Sequence, residues 1–131
     1  MDTSIEYGCM CKMAKEIQMK WKPKWGDFIS GIEDDSEINV LMSVRFKEQF
    51  KCIDNYNKSD IVWIPRQDQL QEMVREEFEN DFSLTMRFAK FIPGHTESTM
   101  EKLWLMFVMI SKYGKLWFST ERQWISTNWD N

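Results

Sequence analysis

Apolar side chains recur at helical spacing in three segments of the chain. The segments are residues 10–17 (Met10, Met13, Ala14, Ile17), 70–78 (Leu70, Met73, Val74, Phe78) and 100–110 (Met100, Leu103, Trp104, Phe107, Val108, Ile110). Spacings of three and four residues place each set on one side of an α-helix. The pattern therefore predicts helices from residue 4 or 9 to about 20, over 67–79 and over 99–113.

Local end signals support two of these helices. Two segments, Thr3-Ser4-Ile5-Glu6 and Ser98-Thr99-Met100-Glu101, have the form of a capping box, in which side chains accept hydrogen bonds from the free N–H groups of a first helical turn. Gly114 stands where a helix commonly ends in the left-handed conformation. The helix over 99–113 is thus bounded at both ends by its own sequence.

Other segments alternate or cluster apolar residues in the manner of β-strands. They are residues 27–32, 38–46 and 61–64, which we interpret as an antiparallel meander of three or four strands, and 116–118 with 123–125, which predict a final hairpin. Residues 82–91 fit both periodicities, and we interpret them as a strand. The fold class predicted is α+β: one domain over 1–131, with a small antiparallel sheet of about 4–6 strands packed against about three helices, the 99–113 helix at its centre.

Candidate chemistry is sparse in this sequence. The three cysteines include a C-x-C pair, Cys9 and Cys11, and no second pair that would complete a zinc site. The single histidine, His95, follows a Pro-Gly turn signal without a recognisable partner motif. Phosphate-binding loops, nucleophile elbows and zinc-hydrolase motifs do not occur. We therefore expect no enzyme activity, no cofactor and no metal, although a carboxylate-only metal site in the acidic 27–37 region stays an alternative.

Charged side chains are concentrated in three segments. Asp34, Asp35 and Glu37 lie in an acidic connection, close in sequence to Trp25, and could offer charge and an aromatic anchor to a partner protein. A second acidic group, relieved only by Arg75, consists of Glu72, Glu76, Glu77, Glu79 and Asp81. The third group is basic and aromatic, namely Lys20, Trp21, Lys22 and Lys24. It has the composition of a single-strand nucleic-acid patch, or of a solvated helix end followed by core tryptophans.

Four motifs, WKPKWGDF (21–28), WIPRQDQLQEM (63–73), MEKLWLMFVM (100–109) and KYGKLW (112–117), resemble a group of short proteins encoded by phages and prophages of Gram-positive and gut bacteria. This group has no assigned activity. The resemblance implies a phage protein in the bacterial cytoplasm, and residues 1–20 contain no unbroken apolar run of the secretory type.

Together these patterns predict a non-catalytic factor that binds another protein. Its most concrete form is an inhibitor of a host-defence nuclease, of the anti-CRISPR kind, that presents an acidic surface to a basic channel. The alternative is a phage accessory protein that binds single-stranded nucleic acid through the Lys/Trp patch. The oligomeric state stays open at this point.

Overall fold

The computed structural model describes residues 1–24, 26–31, 39–40, 61–94 and 98–127. They belong to two compact units: an N-terminal unit, Thr3–Pro65, and a C-terminal unit, Arg66–Asn131 together with Met1–Asp2. Both contain helices and antiparallel strands, so the α+β class is confirmed. The single domain over 1–131 stays a prediction.

The first helical stripe forms two helices, α1 (Ile5–Met13) and α2 (Lys15–Lys20). Ser4 is the N-cap of α1, and its side chain accepts a hydrogen bond from the Tyr7 N–H. Ala14 separates the two helices with ψ near 71°, outside the helical range. The predicted start at residue 4 is confirmed, whereas the prediction of one continuous helix to residue 20 is wrong.

The sheet of the N-terminal unit contains β1 (Phe28–Gly31), β2 (Asn39–Val40) and β3 (Ile61–Ile64). The order is β2-β1-β3 and all pairing is antiparallel, with Phe28 opposite both Val40 and Ile64. The central position of β1 distinguishes this sheet from the predicted meander, in which β2 would lie in the middle. Within the proposed strand 38–46, only residues 39 and 40 are described.

Side chains from α1 and α2 satisfy the polar backbone of β3 beyond its pairing with β1. The Gln18 amide donates to the Trp63 carbonyl and accepts from the Trp63 N–H, both at 2.8 Å. The Tyr7 hydroxyl donates to the Pro65 carbonyl at 2.6 Å. The backbone groups of β3 that do not pair with β1 therefore bond to side chains, as they would bond to the backbone of a further strand.

The C-terminal unit is built on α3 (Gln67–Arg75) and α5 (Met100–Tyr113). All residues of α5 from Leu103 to Ile110 are buried. Leu70 and Val74 are the buried face of α3, and the Lys112 ammonium donates to the Met73 carbonyl near the end of that helix. The α5 boundaries match the sequence prediction, with Thr99 as N-cap and Gly114 in the left-handed conformation at φ 62°.

Residues 82–91, which we interpreted as a strand, belong to the helix α4 (Asp81–Phe91), which is followed by a short 3₁₀ turn, Ile92–Gly94. The Asn80 side chain caps α4 by accepting from the Ser83 N–H at 2.8 Å. Phe88 stacks on Trp104 of α5, with ring centroids 3.8 Å apart. The helical alternative was correct because Leu84 and Phe88 share the face that is buried.

The predicted final hairpin is confirmed as β4 (Lys115–Phe118) and β5 (Gln123–Ser126), in which Trp117 lies opposite Trp124. Within the described residues, the strands therefore form two sheets, of three and two strands, rather than one sheet of 4–6. The same residues contain five α-helices rather than about three. None of these helices combines the length and the apolarity needed to cross a bilayer.

Candidate interaction surface

The residues predicted to bind a partner, Trp25, Asp34, Asp35 and Glu37, lie outside the described residues. The same holds for His95 and Cys52. Cys9 and Cys11 lie on α1 as thiols outside any disulfide, half-buried and buried respectively. Over the described ranges, no three His, Cys, Asp or Glu side chains come together as a metal site would require.

Trp21 of the Lys/Trp patch belongs to the core. Its side chain is 3% exposed and its ring lies parallel to that of Trp63, with centroids 6.1 Å apart. The Trp21 indole N–H donates to Oδ2 of the buried Asp27 at 2.9 Å, and the Lys24 backbone N–H donates to the same oxygen. The ring is therefore unavailable for stacking on a base in this structure.

The three lysines of that patch, Lys20, Lys22 and Lys24, are exposed. Lys20 ends α2, and the other two lie in the segment between α2 and β1. Among the described residues of this segment the patch is thus cationic without an exposed aromatic ring; Trp25 lies outside them. Their binding to nucleic acid stays the alternative hypothesis.

The second acidic group forms an exposed surface where α3 meets α4. We name it the acidic corner: Glu72, Glu76, Glu77, Glu79 and Asp81, all of which are exposed. Arg75 lies within it and contacts two of its carboxylates, Glu72 at 2.6 Å and Asp81 at 3.3 Å. One arginine among five acids leaves the corner strongly negative.

Among the carboxylates of the acidic corner, Glu72 supports α3 through its ion pair with Arg75, whereas Glu76 opposes the helix. Asp68, Glu72 and Glu76 lie four residues apart, so they occupy one row on the outside of the helix. Like charges at this spacing destabilise a helix by about 0.2–0.5 kcal/mol per pair. Glu76 is also the C-cap residue of α3, where the helix dipole disfavours negative charge. The ion pairs Arg66–Asp68 and Arg75–Glu72 offset the repulsion along this row, so the remaining cost in stability lies at Glu76.

Helix α4 is apolar on two opposite sides. Leu84 and Phe88 face inward and are buried. Phe82 and Met86, one turn apart on the other side, are 74% and 46% exposed, and Ala89 is exposed beside them. We name Phe82, Met86 and Ala89 the outer stripe.

The outer stripe was not predicted from the sequence, because residues 82–91 were interpreted as a strand. A signal was present, because Asn80 with Ser83 is a typical N-cap arrangement, and Leu84, Phe88 and Phe91 follow at helical spacing. The acidic corner, in contrast, was visible in the sequence as a run of Glu and Asp. The structure adds that the whole run is exposed.

Comparison with protein-family models, with curated proteins and with solved structures finds no match for this chain. The resemblance to phage proteins stays an expectation from the motifs alone. Function must therefore be argued from the surface itself.

Proposed function

We propose that this protein acts by binding another protein, and that the acidic corner is the surface it offers. The observation that carries the proposal is the exposed row of like charges on α3, ending in Glu76 at the helix C-terminus. Glu76, a negative charge at the C-terminus of a helix, opposes local stability, and such a residue is expected where a chain serves an external role. Five exposed carboxylates within one corner create a negative potential that steers a basic partner toward them.

The partner class that fits this charge is a protein with a basic channel that normally holds nucleic acid. Arg and Lys side chains that contact phosphate oxygens also contact carboxylate oxygens in similar geometry. The motif resemblance to phage proteins favours a host-defence nuclease of the CRISPR type as the concrete case. On this proposal the protein is a non-catalytic inhibitor that occupies the channel in place of the nucleic acid.

The test uses the full chain and a purified CRISPR effector nuclease, with target cleavage as the readout. Wild-type protein should inhibit cleavage, and the double variant Glu76→Gln/Glu77→Gln should need about tenfold more protein for the same inhibition. The reason is that two exposed carboxylates facing a basic channel are replaced by neutral amides of the same size.

Loss of stability cannot explain such a result, because the variant should be at least as stable as wild type. Removing the Glu72–Glu76 repulsion and the charge at the α3 C-terminus should raise the free energy of unfolding by about 0.5 kcal/mol. The matched control is Glu6→Gln/Glu121→Gln, which changes the net charge equally at exposed sites on other elements. If the control loses inhibition to the same degree, or the corner variant keeps it, the acidic corner is not the binding surface.

A further inference from the structure

Four exposed lysines accompany one exposed methionine in α2 and the segment that follows it. Met19 is 81% exposed, the highest value among the large apolar side chains that the structure describes. We name this set the Lys/Met surface; its members, all exposed, are Lys15, Met19, Lys20, Lys22 and Lys24. Lys15 and Met19 are four residues apart on α2, so they are neighbours on its outer face. An apolar side chain is thus held in water among cationic groups.

Buried hydrogen bonds fix the backbone that carries the Lys/Met surface. The Gln18 amide of α2 bonds to the backbone of β3, which sets the face that α2 turns outward. After α2, the Trp21 indole N–H and the Lys24 backbone N–H both donate to Asp27. Lys22 and Lys24 therefore extend from an ordered segment, which reduces the entropy lost when they bind a partner.

The positive charge of this surface is not neutralised within the described part of the chain. No described carboxylate is in an ion pair with any of its four lysines. Glu16, the acid within residues 15–24, is half-buried. Clusters of four or more basic residues on amphipathic helices are typical of contacts with anionic membranes. There an apolar side chain can also insert below the head groups.

We propose that the Lys/Met surface binds the surface of an anionic lipid bilayer, with its lysines at the head groups and the Met19 side chain inserted among them. Single-stranded nucleic acid fits less well, because base binding depends on exposed aromatic rings and the Trp21 ring is buried. The net charge of −4 opposes approach to any anionic surface, so the binding is weak and sensitive to salt. We expect a partition coefficient below the roughly 10⁴ M⁻¹ that a single myristoyl chain provides.

The first experiment is sedimentation of the full chain with vesicles of equal parts phosphatidylglycerol and phosphatidylcholine, at low salt and with increasing lipid. Wild type should bind these vesicles and should not bind vesicles of phosphatidylcholine alone. The variant Lys20→Gln/Lys22→Gln/Lys24→Gln should fall to background, because each lysine near an anionic surface contributes about fivefold. Arginine at the same three positions should preserve binding, since the charge is kept.

The second experiment distinguishes lipid from nucleic acid through Met19. Met19→Ser should weaken vesicle binding about threefold to tenfold, because the inserted apolar contact is lost. The same variant should leave the weak low-salt binding of a labelled single-stranded DNA unchanged, since that binding depends on charge. The matched control is Met86→Ser, because Met86 is 46% exposed on α4 and has no part in the proposed surface. The control should bind vesicles as wild type does.

A wild-type chain that does not sediment with the anionic vesicles at low salt would overturn the proposal. So would equal binding to neutral vesicles, or equal vesicle binding by wild type and Met19→Ser. If Met19→Ser weakens DNA binding as much as vesicle binding, the surface binds nucleic acid rather than lipid. None of these residues belongs to the acidic corner, so the outcome is independent of the proposed function.

Discussion

Asp27 is a buried carboxylate that organises the segment between α2 and β1. Its Oδ2 atom accepts from the Trp21 indole and from the Lys24 backbone N–H, both at 2.9 Å. Through the first bond it orients the Trp21 ring, which stacks on Trp63 of β3. A single side chain thus holds the start of the sheet against the helical part of the N-terminal unit.

We predict that Asp27→Ala lowers the free energy of unfolding by about 3 kcal/mol. Two donors that are now bonded to a charged oxygen would lose their acceptor, and hydrogen bonds to charged groups contribute more than neutral ones. Denaturant unfolding followed by tryptophan fluorescence measures the change. Asp27→Asn is the control, because its amide oxygen preserves one acceptor, so its loss should be about half as large or less. A loss below 1 kcal/mol for Asp27→Ala would contradict this account.

At the scale of elements, α5 was predictable because all its determinants are local. Thr99, Gly114 and the apolar stripe between them lie within one short segment, and each indicates the same helix. In α4 the local signals conflicted, because alternate residues from Leu84 to Phe88 are apolar as they would be in a strand. Packing of Phe88 on Trp104, a residue distant in sequence, decides between the two periods.

The helix break at Ala14 shows a second limit of prediction from the sequence. Alanine is the strongest helix former, so no sequence rule places a helix break there. The break separates α1 from α2, and Gln18 of α2 reaches both the Cys11 carbonyl and the backbone of Trp63. Satisfying the β3 backbone is a tertiary requirement, and it is invisible in the sequence around Ala14.

We predict that Gly114→Ala lowers the free energy of unfolding by about 1–2 kcal/mol. Gly114 ends α5 with φ 62° and ψ 32°, a conformation that side chains with a Cβ adopt at this cost. An added Cβ would meet only the Thr127 carbonyl oxygen at 3.9 Å, so no clash contributes. Thermal unfolding would report the loss.

Gly94→Ala is the matched control, because Gly94 has no positive φ and nothing lies within 4 Å of its added Cβ. This variant should be close to neutral. Equal effects of the two substitutions would mean that the cost of Gly114→Ala does not come from the left-handed conformation at Gly114.

At the scale of the whole molecule, the sequence predicts the α+β class because helical and strand periodicities both occur along the chain. The sequence does not determine which strands pair with each other in a sheet. The pairing of β1 with β3 joins segments far apart in sequence, while β4 and β5 pair only with each other in the described chain. Such partners are chosen by core packing, so counting strands overestimates the size of a sheet.

The negative net charge of the whole chain opposes the binding of nucleic acid by the exposed lysines. Lys20, Lys22 and Lys24 are exposed, but the net charge is −4 and Trp21 is buried. We therefore predict no measurable binding of a labelled single-stranded DNA at about 0.15 M salt, where the Debye length is about 8 Å. Fluorescence anisotropy measures this directly.

With three lysines, the binding of single-stranded DNA should also depend only modestly on salt concentration. If each neutralises one phosphate, the logarithm of the binding constant falls with the logarithm of salt concentration with a slope of about −2. The variant Lys20→Gln/Lys22→Gln/Lys24→Gln should remove that weak binding completely. Tight binding at physiological salt, lost in the triple-lysine variant, would show that the cationic segment binds nucleic acid without Trp21 and would favour the nucleic-acid alternative over protein binding through the acidic corner.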